Sequence, residues 1–163
     1  MGKKFYSLDE TSFGRHQGPV FGYSSVGQMI RVPKRPPRIT TLSVLAIASD
    51  HGFEKITEHV GSVNSIDFAE FLLSCSGMIP KGVVILLDNV STHHSKWAKA
   101  VAELEEWILF FTTPYNPLFI PVEEFFSLVK RKYYKSHQVA SSFENSVTPS
   151  AAQNIFRRSL HIK

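Results

Sequence analysis

Three acidic residues stand where a chain can gather carboxylates around one point. Asp9 follows the apolar stretch Phe5–Leu8, and Asp88 follows the apolar run Val83–Leu87. Glu123 falls in the first turn of a helix opened by Pro121. Ligands of open α/β sheets bind beyond the carboxyl ends of the strands. Carboxylates at two such ends therefore converge if their strands are neighbours. Three converging carboxylates repel one another unless a cation joins them. Mg²⁺ suits that role, because it takes oxygen ligands and keeps several waters. Two such ions roughly 3.5–4 Å apart can stabilise the attacking and leaving oxygens of an in-line phosphoryl displacement. The chemistry expected of this trio is the cutting or joining of a phosphodiester backbone. Taken singly, each residue has a plainer role. An Asp at a strand end makes turns or caps helices, and a Glu in a first helical turn favours the macrodipole. Only their joint placement carries the chemistry.

Neighbouring residues extend the expectation. Asn89 is placed to orient Asp88 or to bind a water, with a turn or cap as the alternative. His93 is expected to position the loop after Asp88, since too few soft or imidazole ligands accompany it for zinc. Glu10 and Glu124 adjoin the proposed ligands, and they are the first substitutes if another carboxylate holds the metal. Ser91 and Ser95 lie near His93 and His94, but no strained Gly-x-Ser-x-Gly turn accompanies them, which argues against a nucleophilic triad.

The elements that must position these groups are legible as patterns. Lys4–Leu8 reads as a short strand ending at Asp9-Glu10, and Val20–Tyr23 as a second. Pro33, Pro36 and Pro37 make residues 31–38 a loop. Ile39–Ala48 is β-branched and apolar, a buried strand; Asp50-His51-Gly52 is a turn, and Phe53–Val60 the return strand. Asn64–Leu73 reads as a helix capped by Asn64 or Ser65, with Ile66, Phe68, Ala69, Leu72 and Leu73 on its apolar face. Val83–Leu87 suggests a strand covered on both faces. Ser95–Glu106 is a helix and Trp107–Thr112 a strand. Pro121 then opens a helix to about Lys135, with Val122, Phe125, Phe126, Val129 and Tyr133 at the i, i+3, i+4, i+7 spacing. Residues 136–150 are polar, and a short closing helix is expected over Pro149–Leu160. The fold class is α/β, a mixed central sheet flanked by helices. Residues 1–135 are the expected core and 136–163 a tail.

Composition sets outer bounds. The 163 residues are 43% hydrophobic and 20% charged, as in an ordinary globular domain, which excludes wholesale disorder and fibrous repeats. The lone Cys75 excludes an intramolecular disulfide and suits a small buried hydrophobe. No apolar run approaches a membrane span, so no membrane partner is expected. Lys and Arg number 18 against 14 Asp and Glu, a net charge of +4. That balance is compatible with a polyanion. Arg31, Lys34, Arg35 and Arg38 line the Pro-rich loop, and Lys130, Arg131, Lys132 and Lys135 close the helix after Glu123. Both groups are candidates for phosphate contact. For the second, the alternative is favourable charge at a helix C-terminus. Tyr133 and Tyr134 suit helix packing better than base stacking.

Three segments in order make the reading specific: Ser7-Leu-Asp-Glu-Thr-Ser-Phe13, Leu86-Leu-Asp-Asn-Val-Ser-Thr-His-His-Ser95, and Pro114-Tyr-Asn-Pro-Leu-Phe-Ile-Pro-Val-Glu-Glu124. Together they resemble the catalytic domain of the Tc/mariner superfamily of DDE transposases, from about Phe5 to Tyr134. Its acidic triad matches Asp9, Asp88 and Glu123, and the 34 residues from Asn89 to Val122 match the spacing of one branch. The resemblance implies a ribonuclease H-like fold and Mg²⁺, with Mn²⁺ as substitute. It also implies metal-dependent hydrolysis and strand transfer on DNA. A homodimer is compatible with it, and the location would be the nucleus in a eukaryote and the cytoplasm otherwise. The sequence departs from the family at Leu118, Phe119 and Ile120, where Asp, Leu and Asn are usual. The family's N-terminal helix-turn-helix region has no counterpart before Asp9, so recognition of transposon ends is not expected from this sequence. These departures motivate a second reading, a non-catalytic remnant that binds DNA or protein. A third, a phosphatase for small molecules, requires a closed pocket.

Overall fold

The apolar stretches assemble into a five-stranded sheet in the computed structural model, which describes residues 4–14, 26, 28, 41–112 and 120–160. Strands β1 (Phe5–Phe13), β2 (Leu42–Ser49) and β3 (Gly52–Val60) form an antiparallel meander. Strands β4 (Val84–Leu87) and β5 (Ile108–Phe111) then add in parallel to β1, giving the order β3-β2-β1-β4-β5. Helices α1 (Ser65–Leu73) and α2 (Lys96–Leu104) precede β4 and β5, and α3 (Pro121–Ser136), α4 (Val139–Phe143) and α5 (Pro149–Ser159) close the chain. No helix of the described residues is long and apolar enough to cross a membrane.

Strand alternation divides the core between the two faces of the sheet. Tyr6 and Leu8 of β1, with Ile85 and Leu87 of β4, pack with Phe68, Phe71 and Leu72 of α1 and Ala98 and Ala102 of α2. Phe13 of β1, with Val44, Ala46 and Ala48 of β2, packs with Val122, Phe125, Phe126, Val129 and Tyr133 of α3. Phe143, Ile155 and Phe156 join this second cluster, so the last two helices rest on α3's side. The five α3 positions expected from its periodicity are all buried.

Four expectations are corrected. Strand β1 does not stop at Leu8: pairing with β2 continues to Phe13↔Leu42, and Thr11 and Phe13 are buried. Asp9 is thus a mid-strand residue. Strand β2 starts at Leu42 and runs one residue beyond Ala48. On α1, Phe71 is buried while Ile66 and Leu73 are half exposed, because the covered stripe runs Phe68, Phe71, Leu72. Helix α4 was not anticipated in the polar segment. The capping box at Asn64 is present, its side chain accepting from the Ile66 and Asp67 N–H groups. The strand expected over 20–23, the loop 31–38 with Arg31, Lys34, Arg35 and Arg38, and residues 113–119 lie outside the described residues.

Candidate functional site

The sheet register brings the strands that lead to the first two carboxylates side by side. Strands β1 and β4 are parallel neighbours, with Ser7 opposite Leu86. Asp9 lies two residues beyond Ser7 on the same side of β1, and Asp88 directly follows the last residue of β4. Tyr6, Leu8, Ile85 and Leu87 point the other way, into the α1–α2 cluster. Asp9 therefore lies on the face that α3 covers. Helix α3 begins over this point, and its third residue is Glu123, which is exposed.

The three carboxylates feel one another's charge. Asp9 is pushed from 3.8 up to about 7, chiefly by burial, with the negative charges of Asp88 and Glu123 adding to the rise. His93 and a hydrogen bond from the Glu10 N–H to Asp9 Oδ1, at 2.7 Å, pull the other way. Glu123 is also raised, first by burial and then by Asp88. Like charges raise one another in this way only within electrostatic reach. The trio is nonetheless open. Among the described residues, no three His, Cys, Asp or Glu side chains close tightly enough to hold a metal ion unaided.

The loop after β4 is built around Asp88. His93 is buried and stacks on Phe68 with ring centres 4.2 Å apart. Its Nδ1 lies 2.6 Å from Asp88 Oδ1, and 3.4 Å from the Asp88 carbonyl oxygen. The short approach lacks hydrogen-bond geometry, and Asp88 Oδ1 is a buried oxygen without a hydrogen-bond partner. A carboxylate oxygen so placed fits a cation better than it fits the protein around it. All three side chains offer hard oxygen donors, the donor set of Mg²⁺ or Mn²⁺. Asn89 is exposed, and its Oδ1 pairs with His94 Nε2. Ser95 caps α2, accepting from the Ala98 N–H at 3.2 Å, which leaves it a structural task. Cys75 is fully buried, as its small apolar character suggests.

Glu124 meets a partner the sequence did not reveal. Its Oε2 lies 2.6 Å from Arg158 Nη2 on α5. The two residues flank a groove of about 620 Å³ between α3 and α5, into which Arg131 and Arg157 also face. Arg157 and Arg158 were missed because a basic last turn reads as ordinary helix decoration; only the packing of α5 beside α3 puts them in line with Arg131. Lys132 donates to the Glu144 carbonyl oxygen at 2.6 Å, bracing the end of α4. Tyr133 is buried and donates to the Gly14 carbonyl oxygen at 3.1 Å, a packing role.

Comparison with known proteins agrees with this fold. The sequence matches the family model of the DDE superfamily endonucleases over residues 4–145. The chain belongs to that family. No curated protein matches the sequence. Among solved structures, the Mos1 transposase paired-end complex with left transposon end superposes with a TM-score of 0.76 at 15% identity, over 97% of this chain and 52% of that one. The Mos1 mariner paired-end complex with Mn gives 0.73 at 14% identity, over 97% and 53%. The Mos1 transposase catalytic domain with Raltegravir and Mg gives 0.66 at 12% identity, over 96% and 79%. The fold is accordingly ribonuclease H-like, and the chain spans about half the length of the Mos1 chains in the paired-end complexes.

Proposed function

We propose that this chain is the catalytic domain of a DDE transposase, cutting and joining DNA phosphodiesters with divalent metal ions held by Asp9, Asp88 and Glu123. What supports the reading is the mutual charge effect among Asp9, Asp88 and Glu123, residues far apart in sequence, together with the parallel pairing of the strands that lead to the first two. Bound Mg²⁺ or Mn²⁺ would supply charge stabilisation for the attacking and leaving oxygens. Asp9 and Asp88 form the fixed floor, being set by neighbouring strands. Glu123 is the exposed third ligand, nearest to an approaching substrate. His93 holds the Asp88 loop in place from the core side.

The DNA path in this reading includes the α3–α5 groove. Arg131, Arg157 and Arg158 oppose only Glu124 there, a net charge of +2 by count of those four residues. Arg131 lies seven residues along α3 from Glu124, about 10 Å at 1.5 Å per residue. That is about three steps along one DNA strand. Replacing the three arginines by Ala is expected to lower the slope of log K against log[salt] by about 2 to 3 and to weaken binding uniformly across sequences. Fluorescence anisotropy of a labelled duplex, without divalent metal, over 50–200 mM salt checks this. The exposed Glu124–Arg158 pair contributes little to stability, so the fold should survive.

Plasmid nicking tests the central claim. Purified protein should nick supercoiled DNA with Mg²⁺ or Mn²⁺ and not with EDTA. Binding without cutting under every metal condition would overturn the catalytic reading in favour of a non-catalytic remnant.

A further inference from the structure

Helix α3 starts without a cap of its own. Its N-cap residue is Ile120, which has no side-chain acceptor, and Pro121 at the next position has no N–H. The Val122 N–H is the first donor of the helix, and an Ncap side chain ordinarily serves it or the next one. Here it donates to Ser7 Oγ at 3.2 Å, from a residue 115 positions earlier in the chain. Ser7 is completely buried and lies in β1, two residues before Asp9 on the same face of the sheet. Val122 immediately precedes Glu123. One buried hydroxyl therefore ties the strand carrying the first carboxylate to the turn carrying the third.

We infer that Ser7 is a positioning residue: it caps α3 from β1 and thereby fixes Glu123 relative to Asp9. This rests on the three-carboxylate reading and adds the device that sets its spacing. The sequence offers a reason for such a device. A local cap at position 120 would need Ser, Thr, Asp or Asn, and Ile120 is instead buried in the core. The cap is thus supplied across the fold, where it also registers one ligand against another. The neighbouring Glu123 N–H donates to the Ile120 carbonyl oxygen at 2.9 Å, and among the described residues no second side chain duplicates the tie.

The test uses Ser7→Ala and Ser7→Cys, the second nearly isosteric but a weak acceptor. Manganese affinity is measured by calorimetry, and exchange of the Val122 amide by NMR. Both variants should keep the far-UV spectrum. Both should speed Val122 exchange and weaken Mn²⁺ about tenfold, the scale of losses from residues that orient metal ligands. Ser7→Thr, which keeps the hydroxyl, should restore affinity. In a Glu123→Ala background, Ser7→Ala should weaken Mn²⁺ no further, because its effect passes through Glu123. Unchanged affinity in Ser7→Ala, or an equal loss in the Glu123→Ala background, overturns the positioning role alone. Unchanged affinity in Glu123→Ala by itself sinks the three-carboxylate reading and the role of Ser7 with it.

Discussion

Replacing Asp88 by Ala is expected to reduce metal-dependent nicking at least about 10³-fold while leaving the protein folded. Metal ions at such sites supply several kcal/mol of transition-state stabilisation, and each 1.36 kcal/mol is a factor of ten in rate. Asp88 is the residue whose loss should cost most. It sits at the end of β4 with one oxygen buried and without a hydrogen-bond partner, and its charge raises both Asp9 and Glu123. The fold should tolerate the change, since β4 is held by Val84, Ile85, Leu86 and Leu87 between its neighbours. His93 loses its 2.6 Å contact but keeps its stacking on Phe68. Calorimetry with Mn²⁺ should show the same loss as the nicking assay. Full nicking by a well-folded Asp88→Ala protein would remove Asp88 from the chemistry.

What made the site visible in sequence was local pattern; what hid the rest was contact at long range. The run Val83–Leu87 suggests a strand covered on both faces, and Pro121 followed by apolar residues at helical spacing suits the start of an amphipathic helix. Those two elements deliver Asp88 and Glu123, and both form as read. Strand β1 departs from its sequence pattern at Asp9. Asp9-Glu10 looks like a strand terminator because acidic residues are depleted in strands. The ladder to β2 nonetheless carries on past them, and Asp9 is held in the sheet against its own solvation. Local rules fail in this way where a functional group is kept in an unfavourable place. The tie from Ser7 to Val122 and the pairing of Glu124 with Arg158 have no local signal at all. Each joins residues that meet only after β1, α3 and α5 have packed. On α1, Ile66 and Leu73 qualified as apolar, but the helix presents Phe71 instead, a rotation that depends on where α2 lies.

The unfavourable place of Asp9 gives the second large effect, one seen in stability. In the unfolded chain Asp9 loses its proton near 3.8; in the fold it does so at about 7. A raised acid pKa means that the folded state binds the proton more tightly, so stability falls as pH rises between these values. Below about pH 4 both states are protonated and Asp9 has no effect. Above about pH 7 the full penalty applies, with a ceiling of roughly 4 kcal/mol. Asp9→Asn keeps an oxygen to accept from the Glu10 N–H and removes the charge. In metal-free buffer at pH 8 it should therefore raise the melting temperature, with a ceiling of roughly 8–16 °C at about 2–4 °C per kcal/mol for a chain of this size. At pH 4 the variant and the parent should melt together. Adding Mn²⁺ should then narrow the difference at pH 8. A cation at the trio stabilises only the charged form and adds about 2.7 kcal/mol at a hundred times its dissociation constant. The parent should gain this and the variant should not. Lowering the pH from 8 to 6 should weaken Mn²⁺ binding to the parent about tenfold, because the cation must displace the Asp9 proton. Melting curves with EDTA and with Mn²⁺ at the two pH values check both signs. A difference between variant and parent that stays constant with pH would mean that Asp9 is not held in charge conflict. The site would then have no electrostatic reason to take up a metal.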